Sequence, residues 1–72
     1  MGRRNALDLT PREAELHAHL LSAASMKQIA HQMGITLGSS KVIAHRLYGK
    51  LGLHDRFEVM AAEIERLKSA RA

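Results

Sequence analysis

The chain has 72 residues and a mass of 8.0 kDa, which leaves room for one small domain. A domain of this size buries only about 60% of its unfolded surface, so its core is marginal without further support. The absence of cysteine excludes disulfides and thiolate metal sites and leaves oligomerisation as the remaining support. A hydrophobic content of 46% with only 3% aromatic residues favours packed helices over a β-sheet.

The positive charge is concentrated in the middle of the chain. The formal net charge is +4, and every Asp and Glu lies either at or before Glu15 or at or after Asp55. The acid-free segment 16–54 holds four Lys or Arg residues and all five histidines, so it carries the whole surplus. Such a block of cationic residues indicates a polyanion, above all a nucleic acid, as the partner.

The first helix has a clear start signal. Thr10 precedes Pro11 and lies three residues before Glu13, which forms a capping box with proline in the first helical position. The apolar spacing that follows predicts a helix over residues 11–22. Residues 1–8 show no periodicity and are expected to be a flexible start, which leaves residues 9–72 for the domain.

The second helix begins at another capping box. Ser25 stands three residues before Gln28, and Gly34 follows where a helix of eight or nine residues ends. These signals predict a helix over residues 26–33. No apolar stretch is long enough to cross a membrane or to form a signal peptide, so the sequence predicts a soluble, intracellular protein.

Two further helices complete the predicted all-α, four-helix fold. Thr36 is a cap for a third helix over residues 37–51, which Gly52 ends. Asp55 is the expected cap of a fourth helix over residues 56–70.

The second and third helices, joined by a short turn that begins at Gly34, have the shape of a helix-turn-helix. On the third helix, positions 40, 44, 47 and 51 recur at helical spacing and are expected to point towards the core. The opposite side is then basic, and such a helix fits the major groove of duplex DNA with its N-terminal half at the base edges. The residues expected to point away from the core are Lys41, Val42, His45, Arg46 and Lys50.

An ordered set of motifs carries a family resemblance over residues 8–62. The motifs are Leu9-Thr10-Pro11-Arg12-Glu13, Ser25-x-Lys27-x-Ile29-Ala30, Gly34-Ile35, Lys41-Val42 and Leu47-Tyr48-x-Lys50-Leu51-Gly52-Leu53. Together they resemble the LuxR-type (FixJ/NarL, GerE-like) helix-turn-helix DNA-binding domain. A domain similar to sigma-factor region 4 is the second choice, because it shares the turn but does not usually keep the Lys-Leu-Gly ending.

The resemblance implies a transcriptional regulator of bacterial or phage origin that binds double-stranded DNA as a homodimer. Its third helix is expected in the major groove, where bases are read by Lys41, Val42 and His45. The family pattern also implies phosphate contacts by Thr36, Ser39, Arg46, Lys50 and Lys27, and a homodimer contact through the fourth helix.

The third helix departs from the family pattern at several positions. Ser40 stands in place of a usual core Val and Ala44 in place of a usual Leu, while Ile43 occupies a position that is often His. This one-position shift of the apolar residues predicts a rotated or less tightly packed helix. Leu37 stands where a polar residue is common, so an apolar side chain is expected near the groove or exposed to a partner.

The fourth helix carries an apolar seam of about two heptads. The first half of the seam is expected to serve the core of the domain, whereas the second half has no obvious internal partner. The seam therefore predicts a two-fold dimer, and the alternative is a helix tail that packs back on the first helix. The predicted dimer residues are Phe57, Met60, Ala61, Ile64 and Leu67.

Other functions find less support in the sequence. Ser39 and Ser40 have no adjacent base for nucleophilic catalysis, so no enzyme is predicted. His17 and His19 diverge by about 200° on a helix, so no metal is predicted, and the sequence shows no cofactor or small-molecule site. The remaining alternative is a small interaction protein that binds and inhibits another LuxR-type regulator through its fourth helix or its third-helix face.

Overall fold

A computed structural model describes residues 8–71 and contains four helices, with no strand in that range. The helices are α1 (Pro11–Leu20), α2 (Met26–Met33), α3 (Leu37–Leu51) and α4 (Arg56–Arg71). The predicted all-α, four-helix fold class is therefore confirmed. The segment 1–8, predicted to be flexible, lies outside the described residues except for Asp8. None of the four helices is both long enough and apolar enough to cross a membrane.

Side-chain caps begin the first two helices. The Thr10 hydroxyl accepts a hydrogen bond from the Glu13 backbone N–H at 3.1 Å, and the Glu13 carboxylate accepts one from the Thr10 N–H at 2.9 Å. Ser25 and Gln28 form the same reciprocal pair at the start of α2. Each pair satisfies two backbone donors that the helix itself leaves without partners, which fixes where the helix begins.

The turn between α2 and α3 depends on a left-handed residue. Gly34 has φ of 69° and ψ of 32°, a conformation that a side chain makes costly. The Ile35 N–H then donates to the Ala30 carbonyl at 3.0 Å, which closes the end of α2. Thr36 begins α3 directly afterwards, so the two helices are joined at a fixed angle.

α1 ends at Leu20, two residues before the predicted end at Ser22. The last turn is tightened because the Leu21 N–H donates to the Ala18 carbonyl at 3.3 Å, three residues back. Arg56, the first residue of α4, donates to the carbonyl oxygens of Leu20 at 3.1 Å and Ser22 at 2.8 Å. The guanidinium thus satisfies the carbonyls at which α1 ends and holds α4 against α1.

Small residues lie at the contact between α3 and the core. Ser40 and Ala44 are buried with Leu47, and Leu51 is partly buried, so α3 keeps the inward positions that the spacing predicts. Ser40 is accommodated because its hydroxyl donates to the Leu37 carbonyl at 2.6 Å and so needs no other partner. Ile43 lies beside this contact and is only partly buried. The core around them comprises Leu16, Leu20, Ile29, Ala30, Met33 and Val59.

α4 packs on the core through a residue that the seam does not include. Val59 is 2% exposed, whereas Phe57 is 83% exposed. Two residues along a helix rotate the side-chain direction by about 200°, so these side chains lie on opposite faces. The expectation that the first half of the seam serves the core is therefore wrong for Phe57.

Two valine-to-alanine changes test this packing. We expect Val59→Ala to lower the free energy of unfolding by about 2 kcal/mol, because it leaves a cavity in the core. Val42→Ala is the matched control on the exposed side of α3, and we expect a change within about 0.5 kcal/mol. Urea unfolding of both variants without any ligand measures the difference. Equal losses of stability would contradict the assignment of Val59 to the core.

Candidate nucleic-acid interface

The outward side of α3 is a continuous exposed face. Lys41, Val42, His45 and Arg46 are all exposed, and Val42 is 52% exposed. They lie opposite the buried side because the side-chain direction of a helix turns by about 100° per residue. The structure therefore brings the three predicted base-contacting residues together on one surface, which we call the α3 outer face: Lys41, Val42, His45 and Arg46.

The first turn of α3 is fixed by its cap. The Thr36 hydroxyl accepts a hydrogen bond from the Ser39 N–H at 3.0 Å and donates to the Ser39 hydroxyl oxygen at 3.1 Å. Both side chains are exposed beside the helix N-terminus, where the backbone dipole favours an anion. Ser39 keeps its own O–H proton for a further acceptor, which suits contact with a phosphate.

The electrostatic surroundings of the α3 outer face are cationic. α2 and α3 contain no Asp or Glu, and α2 presents Lys27 and His31 as exposed side chains. The carboxylates of α1 are already paired, Glu13 with Lys50 and Glu15 with Arg12 at 3.2 Å. No carboxylate on α2 or α3 therefore repels an anion that approaches the α3 outer face.

Lys50 differs from the other predicted phosphate-contacting residues. Its ammonium lies 2.6 Å from a carboxylate oxygen of Glu13, a side chain that is only 5% exposed. A second contact at 3.4 Å joins the ammonium to the Asp8 carbonyl. Lys50 therefore ties the end of α3 to the start of α1, and its charge is shared with a buried carboxylate.

The same pairing changes the acidity of Glu13. The hydrogen bond from Lys50 and the one from the Thr10 backbone N–H hold the pKa of the Glu13 carboxyl below its usual range, although burial opposes them. The capping box alone predicts only the local role of Glu13 at the start of α1. Lys50 lies 37 residues further along the chain, and no local pattern connects the two.

The predicted dimer residues form a second exposed surface, on α4. Phe57, Ile64 and Leu67 are exposed large apolar side chains, Ala61 is exposed and Met60 is partly exposed. Phe57, Ala61 and Ile64 lie on the side of α4 that faces away from Val59, and Met60 and Leu67 lie at its edge. We call this surface the α4 stripe: Phe57, Met60, Ala61, Ile64 and Leu67.

Further along α4, an ion pair borders a shallow groove against α1. The Glu63 carboxylate accepts two hydrogen bonds from Arg66, each of 2.8 Å, and this pairing lowers the pKa of Glu63. The groove beside it is lined by His17 and Val59, among others. Within residues 8–71, no three His, Asp or Glu side chains are arranged to hold a metal ion.

Sequence reasoning missed three further residues that shape this surface. Val59 fixes which side of α4 is exposed, and Arg56 fixes where α4 begins on α1. Arg12 donates to the Met33 carbonyl at 3.1 Å and so holds the end of α2 next to the turn. All three act between distant parts of the chain, and local spacing gives no signal for them.

A comparison with family models gives a match over most of the chain. The model described as "Bacterial regulatory proteins, luxR family" (GerE) matches residues 7–62. The matched range includes the whole of α1, α2 and α3 and the start of α4. No similar curated protein and no similar solved structure is found.

The Glu13–Lys50 pair gives a prediction for acid stability. Because the pKa of Glu13 is lowered by folding, its contribution is present above the pKa of the unfolded chain, about 4.3, and is lost as the pH falls through the lower folded value. Urea unfolding from pH 7 to pH 3 should show a shallower loss of stability for Glu13→Gln than for the unmodified chain. Lys50→Met should likewise make the loss of stability between pH 7 and pH 3 shallower. If neither variant changes this pH dependence, the Glu13–Lys50 pairing is contradicted.

Proposed function

Because this chain belongs to the luxR family of bacterial regulatory proteins, we propose that it is a sequence-specific regulator of transcription that binds double-stranded DNA as a homodimer. α3 lies in the major groove in this proposal. The observation that carries it is the α3 outer face, where exposed cationic and short side chains lie directly opposite the buried side. A rigid cationic helix on an acid-free surface is what the major groove accommodates.

Three side chains on this face read bases in the proposal. Lys41 donates to guanine O6 and N7, and Val42 contacts the methyl group of a thymine. His45 lies one turn beyond Lys41 on the same side, where an imidazole N–H donates to a base edge. Their contiguity supports the proposal, because adjacent side chains on one helix read adjacent base pairs.

Phosphate contacts then position the helix. Thr36 and Ser39 stand at the N-terminus of α3, Arg46 is exposed on the α3 outer face, and Lys27 is exposed on α2. Phosphate contacts of this kind fix the orientation of a protein on duplex DNA without reading sequence. Lys50 contributes less than these residues, because reaching a phosphate would require its ammonium to leave Glu13.

The α4 stripe provides the dimer contact in this proposal. Several large apolar side chains exposed together on a chain of 72 residues are typical of an interaction surface. Pairing two copies through the stripe covers them and holds two α3 helices on one side of the duplex. Two half-sites about one helical turn apart, roughly 34 Å, then form an inverted repeat.

The α4 stripe also suits the second candidate function, in which the chain pairs with another LuxR-type regulator and blocks it. Both functions use the same apolar surface, so the stripe does not distinguish them. They differ in whether the chain itself binds DNA through α3, and the DNA experiment below separates them.

DNA binding through α3 is tested by two lysine changes. We expect Lys41→Ala to weaken binding to a duplex selected from a random pool by about 10- to 100-fold, because one bidentate base contact is lost in each half-site. Lys68→Ala removes an equal charge from α4, next to the α4 stripe, so sedimentation first confirms that this variant still dimerises. Its affinity for DNA should then change much less. Fluorescence anisotropy at fixed salt measures both affinities.

Two outcomes would contradict this proposal. Equal losses for both variants would indicate that binding depends on total charge and not on α3. Failure of the unmodified chain to select any sequence, together with capture of a purified LuxR-type regulator, would favour the inhibitor.

Dimerisation through α4 is tested by placing a charge in the stripe. Ile64 is exposed, so Ile64→Glu should leave the helical content and fold intact and convert a dimer to a monomer. Ser69→Glu, on a different side of α4, is the matched control and should leave the dimer intact. Sedimentation equilibrium gives the masses, and a dimeric Ile64→Glu variant would contradict the interface.

A further inference from the structure

A second apolar side chain on α3 is exposed and plays no part in the core. Leu37, the first residue of α3, is 39% exposed. It is not among the side chains that form or pack against the hydrophobic core, whereas Ile35 and Ile43, on either side of it in sequence, pack against that core. Leu37 therefore presents an apolar surface to the outside at the start of α3.

The backbone that carries Leu37 is held in place. The Leu37 carbonyl accepts the hydrogen bond from the Ser40 hydroxyl at 2.6 Å, and Thr36 caps the same turn. Ser40 is fully buried, so this contact connects the first turn of α3 to the core. Leu37 is consequently presented from a fixed position and not from a loose end.

The next residue leaves the surface beside Leu37 open. Gly38 has no side chain, and a Cβ atom built there would meet only the Thr36 hydroxyl oxygen, at 3.9 Å. Leu37 is therefore not screened by the residue that follows it. Val42 lies five residues further on and about 140° around the helix, so a partner that contacts both side chains encloses α3 on more than one side, as the walls of a groove do.

The charge around Leu37 indicates which partner this is. Lys41 lies one turn further along the same side of α3, and neither α2 nor α3 carries a carboxylate. An apolar side chain set among cations suits a polyanion that also offers an apolar group. In the major groove of DNA the only such group is the 5-methyl of a pyrimidine.

We propose that Leu37 is a specificity-determining residue that reads the 5-methyl group of a pyrimidine in the major groove. The proposal rests on the DNA-binding function proposed above. Leu37 and Val42 are five residues apart, which separates them by about 7.5 Å along the helix axis. Base pairs are spaced by about 3.4 Å, so the two side chains contact different pyrimidines.

Replacement of single bases tests this contact without disturbing pairing. In a duplex selected by the unmodified chain, each thymine is replaced in turn by uracil, which removes only the methyl group. In a parallel set, each cytosine is replaced by 5-methylcytosine, which adds only that group. Affinities are measured for the unmodified chain, Leu37→Ala and the matched control Val42→Ala, and the circular dichroism of each variant confirms that it is folded.

We expect one uracil position per half-site to weaken binding of the unmodified chain by about fourfold and to have no effect on Leu37→Ala. A different uracil position should lose its effect in Val42→Ala. If the recognised pyrimidine is instead a methylated cytosine, a Leu37-dependent gain appears in the 5-methylcytosine set.

If the unmodified chain and Leu37→Ala respond identically to every uracil and every 5-methylcytosine position, this inference is overturned, although the proposed DNA binding is not. Absence of any selected duplex overturns the proposed function itself. A Leu37→Ala variant that binds DNA normally but no longer captures another LuxR-type regulator also counts against the inference, because it assigns Leu37 to a protein partner.

Discussion

The contact between the buried side of α3 and the rest of the domain fixes the orientation of α3 and so the position of its exposed side chains. Ser40, Ala44 and Leu47 occupy it, and two of the three are small. Since a helix is rigid, fixing one side of α3 fixes the direction of every side chain on the other side. Burial of the Ser40 hydroxyl leaves no unsatisfied donor at this contact, because the hydroxyl donates within its own turn. The cationic face is therefore a direct consequence of core packing.

Two long-range polar contacts hold the remaining helices around α3. Lys50 on α3 pairs with Glu13 on α1, and Arg56 on α4 binds the carbonyls at the end of α1. Val59 completes the core from α4, so Phe57, Ile64 and Leu67 of the α4 stripe stay exposed. In the proposed function, α1 thus holds α3, which reads DNA, at a fixed position relative to α4, which pairs the two copies. Binding to an inverted repeat requires this fixed geometry.

Features decided by neighbouring residues could be predicted from the sequence. The starts of the first three helices depend on hydroxyl caps within four residues, and Gly34 and Gly52 both adopt the left-handed conformation that ends a helix. The inward register of α3 followed from its spacing. The early end of α1, the burial of Val59 and the Glu13–Lys50 pair were missed, because each depends on groups brought together only by folding. The base and phosphate contacts themselves remain predictions.

The central claim is that core packing of α3 creates the surface that meets DNA. An NMR titration of the isotope-labelled chain with the selected duplex tests it most directly. We expect the largest shift changes on Lys41, Val42 and His45, and little change at the buried Leu47 and on the far side of α4. Saturating DNA that shifts α4 alone, or that leaves the α3 outer face unperturbed, would contradict the account.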